Sequence, residues 1–422
     1  MRAYLFVACL VITAAALAVN SSYYAVSTNT SHPKQGPQNN GDTSYWTAWT
    51  PATDGGPWNG GYLLGTWGDA AFDGARGHIL AMRLDRYDPA SYAKTGISLV
   101  GGHGINTMTA WGLAGQNHCM NATGAGNDSA SSGFTPFSLR GKIYWPIQCQ
   151  YDGDPFTGNR EAIIMSPDNM KHWCNWANYQ AGGDAGPNTC DESNWSDTGD
   201  VITGDRMKYR DKTYQAVQWT QGDYFYQNKM CRLVVIMWGQ DTAAGPIVPE
   251  GVDPRIDTSY TYAVSMKTEA LGKQSTLYCH RFPTAANPMD PRVWQHYNKG
   301  KWDRNYDSAS PLDVGTADFE AAQTHSEFYS PDAKQFFMKG RHEDDILAAD
   351  LPWGPYHRIE ARNPPNANGF QGWIMATYTS LGGGSFKISH SDNGHMPGTD
   401  GWNIVPGFVE WIFHPVAAPR GR

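Results

Sequence analysis

The sequence predicts an all-β fold, and three observations predict it. Short runs of β-branched and aromatic residues recur between Gly- and Pro-bearing turns. Few segments carry the 3.6-residue apolar period of a helix. Several sections also repeat one order: a strand, a turn, a second strand, then a Trp-ended segment. Many short strands with Gly/Pro turns indicate a sandwich, a barrel or a propeller, and the repeat favours the propeller.

The runs follow one another at short intervals: Gly61–Trp67, His78–Leu84, Lys142–Gln148, Glu161–Met165, Thr213–Trp219, Arg232–Trp238, Tyr260–Met266, Ser275–Arg281, Phe336–Lys339 and Gly372–Thr379. One repeat runs from Phe134 to Trp173 and another from Arg232 to Trp294; others cover Thr324–Pro355 and Gly369–Trp402. Blades of four strands take on the order of 40–50 residues each, so a chain of this length with long insertions allows five or six. Composition is even from Tyr45 to about Phe413, with no charged run and no linker, so residues 44–413 read as a single domain.

Composition narrows the function. The 422 residues include 17 Trp and 22 Tyr, an aromatic density that excludes a disordered chain. A formal charge of −8 argues against nucleic acid or an anionic membrane as partner. Few charges, many aromatics and 46 Gly suit a β-rich, secreted, carbohydrate-active protein.

The N-terminus reads as a targeting segment. Arg2 precedes an apolar run, Ala3–Val19, that closes on Ala16-Leu17-Ala18, a small-residue cleavage site. Residues 1–18 are thus expected to be a signal peptide, 19–43 a flexible Ser/Thr/Asn-rich leader and 414–422 a loose tail, in a secreted monomer free of the membrane after cleavage. Six cysteines follow the signal: Cys119, Cys149, Cys174, Cys190, Cys231 and Cys279. Cys174 and Cys190 flank a Gly/Asn/Asp-rich loop and are the favoured disulfide. Of five Asn-x-Ser/Thr sequons, Asn121, Asn127 and Asn194 are expected glycosylation sites, while Asn20 and Asn29 precede the domain.

Ser166-Pro-Asp168-Asn-Met170-Lys-His-Trp173 resembles the Asp-box turn of sialidase-type propellers, with Met170 where that pattern has Gly. It marks a blade, with Asp capping backbone amides and Trp packing between sheets. Thr53-Asp54-Gly-Gly and Gly68-Asp69-Ala70 flank the strand run Gly61–Trp67. Two carboxylates at one pocket are the equipment of glycoside hydrolysis, and two turn-capping aspartates are the structural alternative.

Four segments together resemble a five-bladed β-propeller glycoside hydrolase family, long catalogued as a domain of unknown function, that includes endo-D-arabinanases. They are Thr53–Asp69, Trp238-Gly-Gln-Asp241 with Tyr260–Ser265, Leu277–Pro283 with Trp294–Tyr297, and Phe328–Phe337 with Trp353–Tyr356. Gln240 stands where the family has Lys and Ala70 where it has Thr. The resemblance implies a secreted glycoside hydrolase acting on a polysaccharide, possible substrates including arabinofuranan, with Asp54 and Asp69 as the acid/base pair. Asp241 and Glu327 are secondary candidates: Asp241 either lines the pocket or caps a turn, and Glu327 is either a general acid or a surface residue. Trp67, Trp238 and Trp353 are candidate sugar-stacking residues. No cofactor is expected: the histidines, His280 among them, show no metal spacing, and no dinucleotide fingerprint or G-x-S-x-G elbow exists. The alternatives are a non-catalytic carbohydrate-binding propeller and, less favoured, a polysaccharide lyase.

Overall fold

The computed structural model describes residues 22–28, 43–47, 63–68, 72–73, 78–79, 82–87, 94–100, 131–133, 135–149, 160–167, 170, 172–173, 191–192, 194–196, 226–227, 233–236, 238, 241–267, 274–317, 319, 327–340, 345–363, 375–395 and 404–416. Among them regular structure is strand, apart from short 3-10 turns at Pro291–Val293 and Tyr306–Ser308. The strands form five sheets of four or five members and three two-stranded ladders.

The five sheets follow chain order. Sheet I holds Thr43–Thr47, Leu63–Gly68, Met82–Tyr87 and Lys94–Val100, with Asn194–Ser196 added on its far edge. Sheet II holds Ser131–Gly133 and Phe137–Leu139 against Lys142–Cys149, then Arg160–Ser166 and Tyr226–Gln227. Sheet III is a meander of Val234–Ile236, Tyr260–Lys267, Thr276–Pro283, Gln295–Asn298 and Lys301–Asp303. Sheet IV holds Glu327–Ser330, Gln335–Lys339, Ile346–Ala349 and His357–Arg358. Sheet V holds Met375–Gly382, Ser385–His395 and Ile404–Pro415.

The N-terminus completes sheet V. Tyr23–Ser27 runs antiparallel to Ile404–Pro415, and Glu360–Arg362 pairs parallel with it on the other side. Its burial alternates, with Tyr23, Ala25 and Ser27 facing in, the signature of a strand with one face on a core. This strand lies inside the segment read as a flexible leader, and His414 and Pro415 of the segment read as a loose tail are its partners.

Each sheet meets the next. Leu63–Gly68 touches Ser131–Gly133, Phe137 and Leu139 share a core cluster with Val235 and Ala263, and Val234–Ile236 touches Glu327–Ser330. Phe337 of sheet IV packs on Phe386 and Phe413 of sheet V, with ring centroids 5.5 and 5.1 Å apart. Thr43–Thr47 of sheet I in turn touches Met375–Gly382 and Ser385–His395 of sheet V. Strands caught between such layers are buried on both faces and read as unbroken apolar runs, as in Val234–Ile236 and Ile346–Ala349.

The turns explain how so many short strands stay in register. Arg140-Gly141 and Lys299-Gly300 are two-residue hairpin loops with both φ values positive, at 52° and 72° and at 46° and 88°. That is the geometry whose twist matches paired strands, with glycine taking the second position without a Cβ clash.

Candidate functional site

Asp54 and Asp69 lie outside the described residues, as do Cys174, Cys190, Asn121 and Asn127. The strand expected between the two aspartates is present as Leu63–Gly68, flanked in sheet I by Thr43–Thr47 and Met82–Tyr87. Trp67 sits on it, paired with Ser44 and Arg83 in the backbone register. Asn194 lies on the edge strand of the same sheet, opposite Leu99.

Two of the expected site residues are structural instead. Trp238 is not a sugar platform: it is 1% exposed and its ring meets Tyr262, Tyr329 and Phe336 in edge-on contacts. Its Nε1 donates to the Tyr260 carbonyl at 3.3 Å. A ring enclosed between sheets III and IV has no face to offer a ligand. Asp241 resolves toward the turn-cap reading, across sheets rather than within one. Its Oδ1 accepts from the Arg140 amide at 2.8 Å and its Oδ2 from the Gly141 amide at 2.9 Å. The hairpin turn of sheet II is thereby held against the two-stranded ladder of Asp241–Thr242 and Gly245–Pro246, which lies in the chain between the first two strands of sheet III. Burial pushes the Asp241 carboxyl up, while the bonds from Gly141 and Arg140 pull it down.

Glu327 is a buried group, not a surface one. It opens sheet IV, opposite Met338, at 3% exposure. Burial holds its carboxyl well above the ordinary carboxylate range, which favours the protonated form a general acid needs. Its charge would be felt by the Cys279 thiol and the Tyr356 hydroxyl, both also pushed up, first of all by burial. These groups share the seam between sheets III and IV. Cys279 is a free thiol at 0% exposure, so the six cysteines from Cys119 to Cys279 do not all pair.

Trp353 is partly exposed in the loop between the last two strands of sheet IV. It stacks on Tyr297 at 5.4 Å with an 18° interplanar angle, and Trp302 meets it edge-on at 5.6 Å. Arg281 lies over the Tyr260 and Trp302 rings at 3.9 and 4.2 Å. Trp353 also meets Tyr262 at 6.0 Å, so this aromatic rim packs on the outside of the same cluster that encloses Trp238.

Asp168 of the Asp-box-like turn lies outside the described residues; Ser166 and Met170 of that turn are described, and a similar Ser-Pro-Asp turn recurs at Ser330. Ser166 Oγ accepts from the Met170 amide at 2.7 Å, and Met170 holds φ 71° where the pattern has Gly. Ser330-Pro331-Asp332-Ala333-Lys334 repeats the arrangement: Ser330 Oγ accepts from the Ala333 amide at 3.1 Å, and Lys334 holds φ 57°. Asp332 reaches sheet V, accepting from the Tyr378 hydroxyl at 2.6 Å and the Ser380 hydroxyl at 2.7 Å. The signal for this copy was present in the sequence as a second Ser-Pro-Asp followed by paired aromatics. Among the described residues, no group of three or more His, Cys, Asp or Glu side chains is placed to hold a metal.

No family model matches the chain, and no curated protein does. Solved structures that resemble it include the GH93 α-L-arabinofuranosidase of Fusarium graminearum in complex with arabinobiose, at 10% identity and a TM-score of 0.38, over 87% of this chain and 75% of that one. Another is an N-acetylgalactosamine deacetylase from F. plautii in complex with blood group B trisaccharide, at 8% identity and a TM-score of 0.37, over 91% and 93%. A third is the α-L-arabinofuranosidase from Lactobacillus brevis, at 12% and 0.38, over 87% and 90%. Likenesses of this depth carry no argument, and the all-β fold rests on the chain's own strands.

Proposed function

We propose that this chain is a secreted five-bladed β-propeller that hydrolyses a glycosidic bond in a polysaccharide, with an arabinofuranan as the substrate class to try first. Sheets I to V are the blades, and Tyr23–Ser27 closes the last of them. The observation that carries the reading is the succession of five sheets, each touching the next and the fifth touching the first, along a chain whose motifs resemble one glycosidase family.

The proposed acid/base pair is Asp54 and Asp69, on the two segments that flank Leu63–Gly68. Cleavage at an anomeric carbon needs a proton for the leaving oxygen and a carboxylate for the oxocarbenium-like centre. Glu327, whose carboxyl burial pushes up, is the reserve donor. Purified protein is to be incubated with arabinans, other furanans and pectic polymers, and new reducing ends measured. Asp54→Asn and Asp69→Asn each keep side-chain volume and remove the titrating group. Each is expected to lower the rate by about 10²–10⁴-fold with an unchanged thermal midpoint. Full activity in either variant overturns the assignment of that residue.

A further inference from the structure

Five of the side chains in the aromatic rim share one face of sheet III. Tyr260 lies on the same side of its strand as Tyr262, which pairs with Arg281; Arg281 pairs in turn with Gln295, and Tyr297, two positions on, pairs with Trp302. Trp353 joins them from sheet IV, and all six are partly exposed. The proposed acid/base pair, by contrast, flanks a strand of sheet I. The polar groups of the rim differ from those of the enclosed rings. Inside the fold, the Trp238 and Trp294 indoles and the Tyr262 and Tyr356 hydroxyls each donate to a carbonyl. The indole N–H groups of Trp302 and Trp353 and the hydroxyls of Tyr260 and Tyr297 make no such bond among the described residues, which leaves them to water or a ligand.

A cation stands at the centre of the rim. The Arg281 guanidinium carbon lies 3.9 Å from the centre of the Tyr260 ring and 4.2 Å from that of Trp302. Its Nε donates to Gln295 Oε1 at 2.8 Å, and the Tyr262 hydroxyl bonds the same guanidinium. These contacts fix the fork and still leave it N–H groups to offer. Arg255, Arg292, Arg358 and Arg362 each pair with a carboxylate, whereas Arg281 pairs with none among the described residues. The carboxylates close to it in the chain are engaged in their own turns: Asp257 accepts from the Ser259 amide and hydroxyl, and Asp303 from the Asn305 amide. Exposed Lys299 and Lys301, beside the Tyr297–Trp302 pair, add to the positive charge.

We propose that this rim is a binding site for an acidic polysaccharide, separate from the proposed catalytic pair. The rings take the C–H faces of successive sugars, their N–H and O–H groups bond sugar hydroxyls, and the Arg281 fork takes the carboxylate of a uronic acid. The charge selects this occupant. A neutral glycan laid over the rim would cover the guanidinium without pairing it, which costs desolvation with no return. A carboxylate gives the fork a charge-assisted partner of matching geometry. A fork already held between two rings also has little freedom left to lose on binding. A nucleic acid strand would meet stacking rings too, but the formal charge of −8 on the chain opposes it. The inference shares with the proposed function only the ligand class, a glycan, and needs no bond to be cleaved.

The full chain is to be titrated with polygalacturonate and with a neutral galactan at low and at high salt, binding being read from tryptophan fluorescence. Wild type is expected to bind polygalacturonate about tenfold or more tightly than galactan, with the preference lost at high salt. Arg281→Gln is expected to bind the two polymers alike, and Trp302→Ala to bind both about tenfold or more weakly. Asp54→Asn and Asp69→Asn are expected to bind like wild type, so loss of hydrolysis and loss of this site are read separately. Weaker polygalacturonate binding in the aspartate variants would place the polymer at the proposed pair and overturn a separate site. Equal binding of the two polymers by wild type, or undiminished polygalacturonate binding in Arg281→Gln and Trp302→Ala, also overturns it. Should those two variants not fold, hydrogen exchange of the wild type decides. Polygalacturonate is expected to protect amides within residues 295–303, and protection confined to other segments, or none, refutes the proposal.

Discussion

Individual residues in this molecule are sorted by how much water they keep. Asp241, Asp332 and Glu327 are all carboxylates near strand ends, yet they have different environments. Asp241 and Asp332 are anchored by hydrogen bonds to an adjoining sheet. Glu327 sits at 3% exposure with burial as the cause of its raised value. A carboxyl whose folded value lies above its unfolded one contributes stability below the unfolded value, about 4.3, and loses it as pH rises through the folded one. Glu327→Gln is therefore expected to raise the thermal midpoint relative to wild type at pH 7.5 and to raise it less, or not at all, at pH 4. Paired thermal scans at the two pH values check this. A variant less stable than wild type at pH 7.5 would show that its neighbours compensate the ionised group there. Sequence alone named Asp241 and Glu327 but could not grade them, because the amides of Arg140 and Gly141 lie about a hundred positions away from Asp241.

At the scale of elements, strands with local partners were legible and those with remote partners were not. Lys142–Cys149 with Arg160–Ser166, and Tyr260–Lys267 with Thr276–Pro283, fall where their apolar runs and turn residues place them. The Asp-box turns show the same locality and also a conflict within it. Met170 and Lys334 both occupy left-handed backbone that costs an L-residue roughly 1–2 kcal/mol relative to Gly. At Lys334 the side chain is exposed and the backbone term decides, so Lys334→Gly is expected to stabilise by up to about 1 kcal/mol. At Met170 the side chain is 0% exposed, and truncating a buried methionine costs about 2–5 kcal/mol, which outweighs the backbone relief. Met170→Gly is therefore expected to destabilise. Urea unfolding of the two variants separates the terms, and a shift of the same sign in both would refute the account.

On the scale of the whole molecule, the feature least visible in the sequence is the one that joins its ends. Residues 19–43 look like a leader because they are rich in Ser, Thr and Asn, and such composition outweighs a five-residue run when the partner strand is nearly four hundred positions away. Yet Tyr23-Tyr24-Ala25-Val26-Ser27 has the alternation of a half-buried strand. Ala25 is fully enclosed, and Tyr23 packs edge-on against Phe337 of sheet IV at 6.0 Å while its hydroxyl donates to the Gly384 carbonyl at 3.0 Å. The strand thus ties sheet V to both chain termini and to the neighbouring sheet. Without it, Ile404–Pro415 becomes an exposed edge with unpaired backbone groups, a template for pairing with other chains. A chain beginning at Val19, the end left by the expected signal cleavage, keeps this strand and is expected to unfold at the same temperature as the longer form. A chain beginning at Thr28 loses it and is expected to show a lower thermal midpoint, earlier proteolysis within residues 404–416 and a tendency to self-associate. The single substitution Ala25→Asp makes the same point with chain length held constant, since it drives a charge into a position with no exposure. If the chain starting at Thr28 melts and resists protease like the one starting at Val19, the first strand adds nothing to stability, and the sheets must be held by the contacts between them alone.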